Sequence, residues 1–103
     1  MDEQLLKDLF LGFIKVHILY HAEKELIFGQ EFHSELQRHG YEISFGTLYP
    51  ILHKLETQGY LKSYKEKVNG RIRRYYEITK TGRLILKKAK VQAKELVEEL
   101  YEG

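Results

Sequence analysis

The chain has 103 residues and a mass of 12.3 kDa, and is 43% hydrophobic, 31% charged and 13% aromatic. That composition fits one domain with enough apolar material for a core and too little polar bias for disorder. It holds no Cys, which excludes disulfide scaffolds, thiolate zinc sites, iron–sulfur clusters and cysteine nucleophiles, while its net charge of +2 excludes nothing by itself.

Residues 3–22 read as a helix, because Leu5, Leu6, Leu9, Phe10, Phe13, Ile14, Ile18 and Leu19 recur at spacings of three and four. Asp2 is placed to cap it, and Asp2 and Glu3 suit the positive end of its dipole. Leu11, Val16 and Tyr20 widen the stripe beyond a narrow seam, so this helix needs cover on more than one side, and a second subunit is one such cover. The longest early apolar run, Leu9 to Ile14, is broken by Lys15, far short of the ~20 residues a membrane helix needs. With no leader-like opening, the expectation is a soluble, cytoplasmic protein.

Residues 28–39 read as a second helix, with Phe28, Phe32 and Leu36 one turn apart and Gly40 as its stop. A third follows at about 45–58, with Leu48, Ile51, Leu52 and Leu55 turned inward and Gly59 at its end. Either Ser44 or Thr47 can cap it. With Thr47 as cap, Pro50 is the third helical residue and loses no bond; with Ser44 it sits deeper and costs a bond or a slight bend.

The period then changes. Residues 60–67 and 72–78 are rich in strand formers and flank Val68-Asn69-Gly70-Arg71, a strong hairpin signal. Thr79 or Thr81 opens a last helix over about 80–101. A lone hairpin is marginal and must lie on the helices. The expected fold is therefore mainly α with a small β-hairpin: a winged helix-turn-helix plus a long C-terminal dimerisation helix, the third helix being the candidate reader of a DNA major groove. The expected division is a DNA-binding unit at 1–79 and the dimerisation helix at 80–103, packed with helix 3–22 as one compact body.

The small net charge conceals a segregated pattern. Residues 1–59 carry five basic against nine acidic side chains, residues 60–90 eleven against two, and residues 91–103 one against four. Basic density of that order on the hairpin and the following helix start is the footprint of a polyanion-binding surface.

Ser44-Phe45-Gly46-Thr47-Leu48-Tyr49-Pro50-Ile51-Leu52-His53-Lys54-Leu55-Glu56, followed by Gly59-Tyr60-Leu61, resembles the signature of the PadR family of transcriptional regulators. Arg74-Tyr75-Tyr76-Glu77-Ile78-Thr79-Lys80-Thr81-Gly82-Arg83 is similar to that family's second wing strand and its turn into the C-terminal helix. Phe28-Gly29-Gln30-Glu31-Phe32 fills the place of its Tyr-Gly-Tyr-Glu-Leu-like helix opening. The resemblance implies a dimeric regulator of double-stranded DNA, most often a repressor, relieved by a small molecule. With a single helix after the hairpin, the chain looks like the short form, without a separate effector domain. Any ligand is then expected at the dimer interface, with Phe10, Phe13, Ile14 and either Val97 or Leu100 as candidate lining, or against the wing.

For DNA contact, the third helix offers Ser44, Thr47, Tyr49, His53 and Lys54, as hydroxyls for phosphate and cations for phosphate or base edges. No Arg or Asn lies on this face, so specificity is expected to rest partly on DNA shape and on the wing. The wing offers Lys65, Lys67, Asn69, Arg71 and Arg73. For the dimer, Leu86, Ala89, Ala93, Leu96 and Leu100 form a seam at spacings of three and four, joined by Leu6, Phe10 and Phe13 of the first helix. The operator is expected to be two-fold symmetric, matching two half-sites to two subunits.

His17 and His21 are one turn apart, a spacing that can share a metal, but no third ligand stands out, because His33, His39 and His53 lie on other elements. No cofactor or metal is therefore expected. No nucleophile elbow, phosphate-cradling loop or carboxylate pair suggests an enzyme. The alternative reading is a winged-helix protein–protein module without DNA binding, since fold does not settle function.

Overall fold

The computed structural model describes residues 3–102. The proposed cap Asp2 lies outside them. The first helix, α1, runs Gln4–Lys24, two residues beyond its expected end, and buries Ile14, Ile18, Leu19 and Ala22 along one line. Phe10 packs partly buried against that core, while Leu5, Leu6, Leu9 and Phe13 are exposed.

Strand β1, Ile27–Phe28, precedes helix α2, Gly29–Arg38. The strand corrects the reading of Phe28 as the first apolar residue of that helix. Phe28 is instead extended, at φ −97° and ψ 121°, and sits at the N-cap. Two residues carry no period of their own. They are drawn into a strand because the hairpin offers an unpaired edge, where Ile27 pairs with Tyr76 and Phe28 with Tyr75. Helix α2 ends in a Schellman arrangement, with Tyr41 N–H donating to Leu36 C=O at 2.9 Å and Gly40 at φ +85°, a conformation that favours glycine.

Helix α3, Phe45–Thr57, settles the cap: Ser44 Oγ accepts from the Thr47 N–H at 3.2 Å. Pro50 is then inside the helix and gives up one backbone bond in its second turn. The inward stripe Leu48, Leu52 and Leu55 is buried. Strands β2, Leu61–Val68, and β3, Arg71–Ile78, form the wing, in register from Leu61 opposite Ile78 to Val68 opposite Arg71. Asn69 at φ +51° and Gly70 at φ +78° make the primed turn that Asn-Gly promised. Strand order is β1-β3-β2.

Helix α4, Lys80–Glu102, is capped by Thr79, whose Oγ1 accepts from the Gly82 N–H at 3.0 Å and donates to Gly59 C=O at 2.6 Å. Only its first turns are inside: Leu86 is 2% exposed, while Leu96, Val97 and Leu100 are more than half exposed. Two residues assigned to intersubunit surfaces therefore belong to the chain's own core. Leu86 heads the predicted seam and Ile14 the predicted ligand lining, and both are buried within the monomer. No helix among the described residues is long and apolar enough to cross a membrane.

The structure also corrects the histidine reading. The end of α2 folds back on α1, so the rings of His17 and His39 are 5.5 Å apart and those of His21 and His39 are 6.1 Å apart. Burial, and next the neighbouring His39, hold the His17 and His21 imidazoles below their ordinary value.

Candidate nucleic-acid interface

Helix α3 turns Leu48, Leu52 and Leu55 into the core, so helical geometry leaves Thr47, Tyr49, Pro50, His53 and Lys54 on its exposed side. Ser44 is exposed too, but its hydroxyl is engaged in the cap and lies 3.2 Å from Thr47 Oγ1. An aromatic column fixes the start of this helix. Phe45 stacks on His33 of α2 at 4.0 Å and on Tyr49 at 5.6 Å, while His33 Nε2 lies 2.6 Å from the Ile43 carbonyl oxygen. Tyr49 also rests on α2, against Gly29, where an added Cβ would meet its ring at 2.9 Å.

The wing divides its charges between two faces. On one, Ser63, Lys65 and Lys67 of β2 stand opposite Tyr76, Arg74 and Ile72 of β3. Here Arg74 Nη1 donates to Ser63 Oγ at 2.8 Å, and that hydroxyl donates to Glu56 of α3 at 2.5 Å, which ties the wing root to the helix. On the other face Lys62 pairs with Glu77 at 3.0 Å, and Tyr64 donates a hydrogen bond to the same carboxylate. These two donors hold the Glu77 carboxyl below its ordinary range. The wing tip, with Lys65, Lys67, Asn69 and Arg71, is exposed.

Arg73 is not at the free tip. Its guanidinium lies 4.7 Å from the centre of the Phe28 ring, which in turn packs on Tyr75 at 5.6 Å. That stacking holds the planar cation half-buried and aimed along the β1–β3 edge.

A cleft of about 440 Å³ separates α3 from the wing. Tyr49 lines one side, Arg71, Arg73 and Arg74 the other, and Phe28, Gly29 and Gln30 close the end. Among the described residues no carboxylate lines it. The structure thus joins Tyr49 with Arg71 and Arg73, as the sequence reading had them, and adds Arg74 and Gln30. Gln30 escaped notice because nothing in its neighbourhood distinguishes it. Only the packing of the α2 start against β3 puts it there.

The family model of the PadR-like transcriptional regulators matches residues 18–88. The chain is 43% identical over 90 residues to the transcriptional regulator Rv3488 of Mycobacterium tuberculosis, covering 87% of this chain and 84% of that protein. A PadR family regulator from Eggerthella lenta superposes with a TM-score of 0.85 at 27% identity, over 96% of this chain and 88% of that one. A PadR-like regulator from Bacillus cereus does so with a TM-score of 0.75 at 28% identity, over 98% and 99%.

Proposed function

The chain belongs to the PadR-like family of transcriptional regulators, and from that premise we propose that it is a homodimeric, sequence-specific binder of double-stranded DNA, acting in the cytoplasm as a repressor that a small molecule relieves. The observation that carries the reading is the cleft between α3 and the wing, lined among the described residues by three arginines and no carboxylate, on the same hairpin as the exposed Lys65 and Lys67. Phosphate oxygens are the chemistry such a surface holds. Like charges directly opposite in a ladder are destabilising, yet Lys65 faces Arg74 across the hairpin. A polyanion laid on the wing relieves that repulsion.

In this reading residues 1–79 make the DNA contacts, and residues 80–103 join α1 in holding the second copy. Support for the second copy is the apolar surface that the monomer leaves bare. Leu9, Phe13 and Val16 of α1 and Ala93 and Leu96 of α4 line an open apolar groove of about 580 Å³. Dimer formation covers such a face, and a small apolar effector would enter against the same side chains.

The test is retention of the protein on a polyanion column, reversal by salt, and selection of bound fragments from genomic DNA. The expected result is a recurrent, two-fold symmetric site that competes off the column-bound protein. No salt-reversible retention would favour the protein–protein module instead, and retention with no preferred fragment would mean non-specific binding.

A further inference from the structure

We propose that His21, Glu35 and His39 form a binding site for a divalent transition-metal ion of the zinc class, bridging α1 to the end of α2. One ligand atom from each of these residues lies within 4.8 Å of the others. His39 Nε2 is already 3.3 Å from Glu35 Oε1. Two imidazoles and a carboxylate are the donor set of open zinc sites, which keep one position for water or another ligand. A tetrahedral ion with bonds of about 2.0–2.1 Å holds its donors about 3.3 Å apart, so side-chain rotations moving atoms by about 1.5 Å complete the set. With nitrogen donors in the majority and no thiolate, zinc, nickel or copper(II) suits it and magnesium does not.

Two further features point the same way. His17, one turn before His21 and stacked on it at 6.1 Å, has a buried Nδ1 with no hydrogen-bond partner among the described residues. Buried polar atoms ordinarily have one, and a water held on an ion at the neighbouring cluster is one such partner. A groove of about 240 Å³ leads to the cluster, lined by the carboxylates of Glu25, Glu31 and Glu35 and by the Arg38 guanidinium. The competing interaction is the Arg38 guanidinium paired with Glu35, and exposed pairs of that kind hold weakly.

Position gives the site its consequence. His39 is the last residue before Gly40 and the turn into α3, while His21 belongs to the helix that carries the bare apolar face. An ion bridging them fixes the reading helix relative to the subunit contact, so binding of metal and of operator are coupled; this second step rests on the DNA-binding reading above.

The experiment titrates zinc, and magnesium as control, into the full-length protein by calorimetry and by competition with a chromophoric chelator. One zinc per chain is expected, weakened at least tenfold in His39→Ala and in Glu35→Gln and unchanged in His53→Ala. Both substituted residues are partly exposed, and far-UV circular dichroism checks that the variants fold. Zinc bound equally by His39→Ala and Glu35→Gln, or no more tightly than magnesium, would overturn the site. Operator affinity is then measured with and without zinc, with a change of at least threefold expected in the parent and none in His39→Ala. An unchanged parent would overturn the coupling but leave the site. A protein that binds zinc but no DNA in either state would overturn the regulatory reading alone.

Discussion

The Tyr49 ring rests against the backbone of Gly29, so close that a methyl group there would lie 2.9 Å from its Cε1. The first residue of α2 thereby sets where the most prominent aromatic of α3 stands, with 44% of its surface still exposed towards the arginine-lined cleft. Gly29→Ala leaves the core untouched and pushes the far end of one side chain. Its expected effect is an operator affinity reduced about three- to tenfold, or about 1 kcal/mol, with little change in thermal stability. An unchanged affinity in a gel-shift titration would place Tyr49 outside the DNA contact.

The wing is tested by salt. Lys65→Ala, Lys67→Ala and Arg71→Ala combined should weaken binding to all sequences. They should also flatten the dependence of log affinity on log salt by about 0.9 per lost phosphate contact. The same slope in parent and variant would remove the wing from the interface.

The bare apolar surface of α4 is tested by charge. Leu96 and Leu100 are 53% and 65% exposed, so Leu96→Glu with Leu100→Glu costs the monomer fold little. The expected outcome is a dimeric parent and a monomeric variant in sedimentation at micromolar concentration, with the variant's operator affinity reduced. A stable monomer in the parent would contradict the assembly proposed.

Gly82 sits where α4 begins against the turn after α3. A Cβ there would meet the Tyr60 carbonyl oxygen at 2.2 Å and Ile78 at 2.7 Å. Gly82→Ala recovers up to ~1 kcal/mol of helix propensity, but it must displace backbone, which overpacking studies put at about 1–3 kcal/mol or more. The net loss expected is about 2 kcal/mol, or about 10 °C in Tm for a chain of this size. Calorimetry of the two proteins measures it, and an unchanged Tm would mean that the turn yields freely.

Glu77 predicts an acid limb. Hydrogen bonds from Tyr64 and Lys62 hold its carboxyl below the ordinary value of 4.5. A depressed acid contributes stability that is present above its unfolded value and lost as pH falls through the folded one. Thermal stability should therefore fall below about pH 4.5 in the parent, and less steeply in Glu77→Gln. Parallel curves would assign the acid limb to other carboxylates.

Much of this fold was legible in residue order alone, because the deciding interactions are local. Helix period, the Ser44 and Thr79 caps, the glycines at 40 and 59 and the Asn69-Gly70 turn each act within a few residues. Charge segregation was equally plain, since it needs only counting. Even the choice between Ser44 and Thr47, left open by spacing, needed no more than one local hydrogen bond to decide.

What residue order could not decide depended on which distant segments meet. Strand β1 exists because β3 has a free edge, Arg73 leaves the tip because Phe28 lies beneath it, and Leu86 and Ile14 fill the monomer core although their spacing suits an interface equally well. His39 stands 18 residues from His21 in the chain and beside it in space, because a positive-φ glycine ends α2 just where it returns to α1. Periodicity states that a face is apolar or basic. Only packing, by burying some of those side chains and juxtaposing others, states which surface is left for a partner.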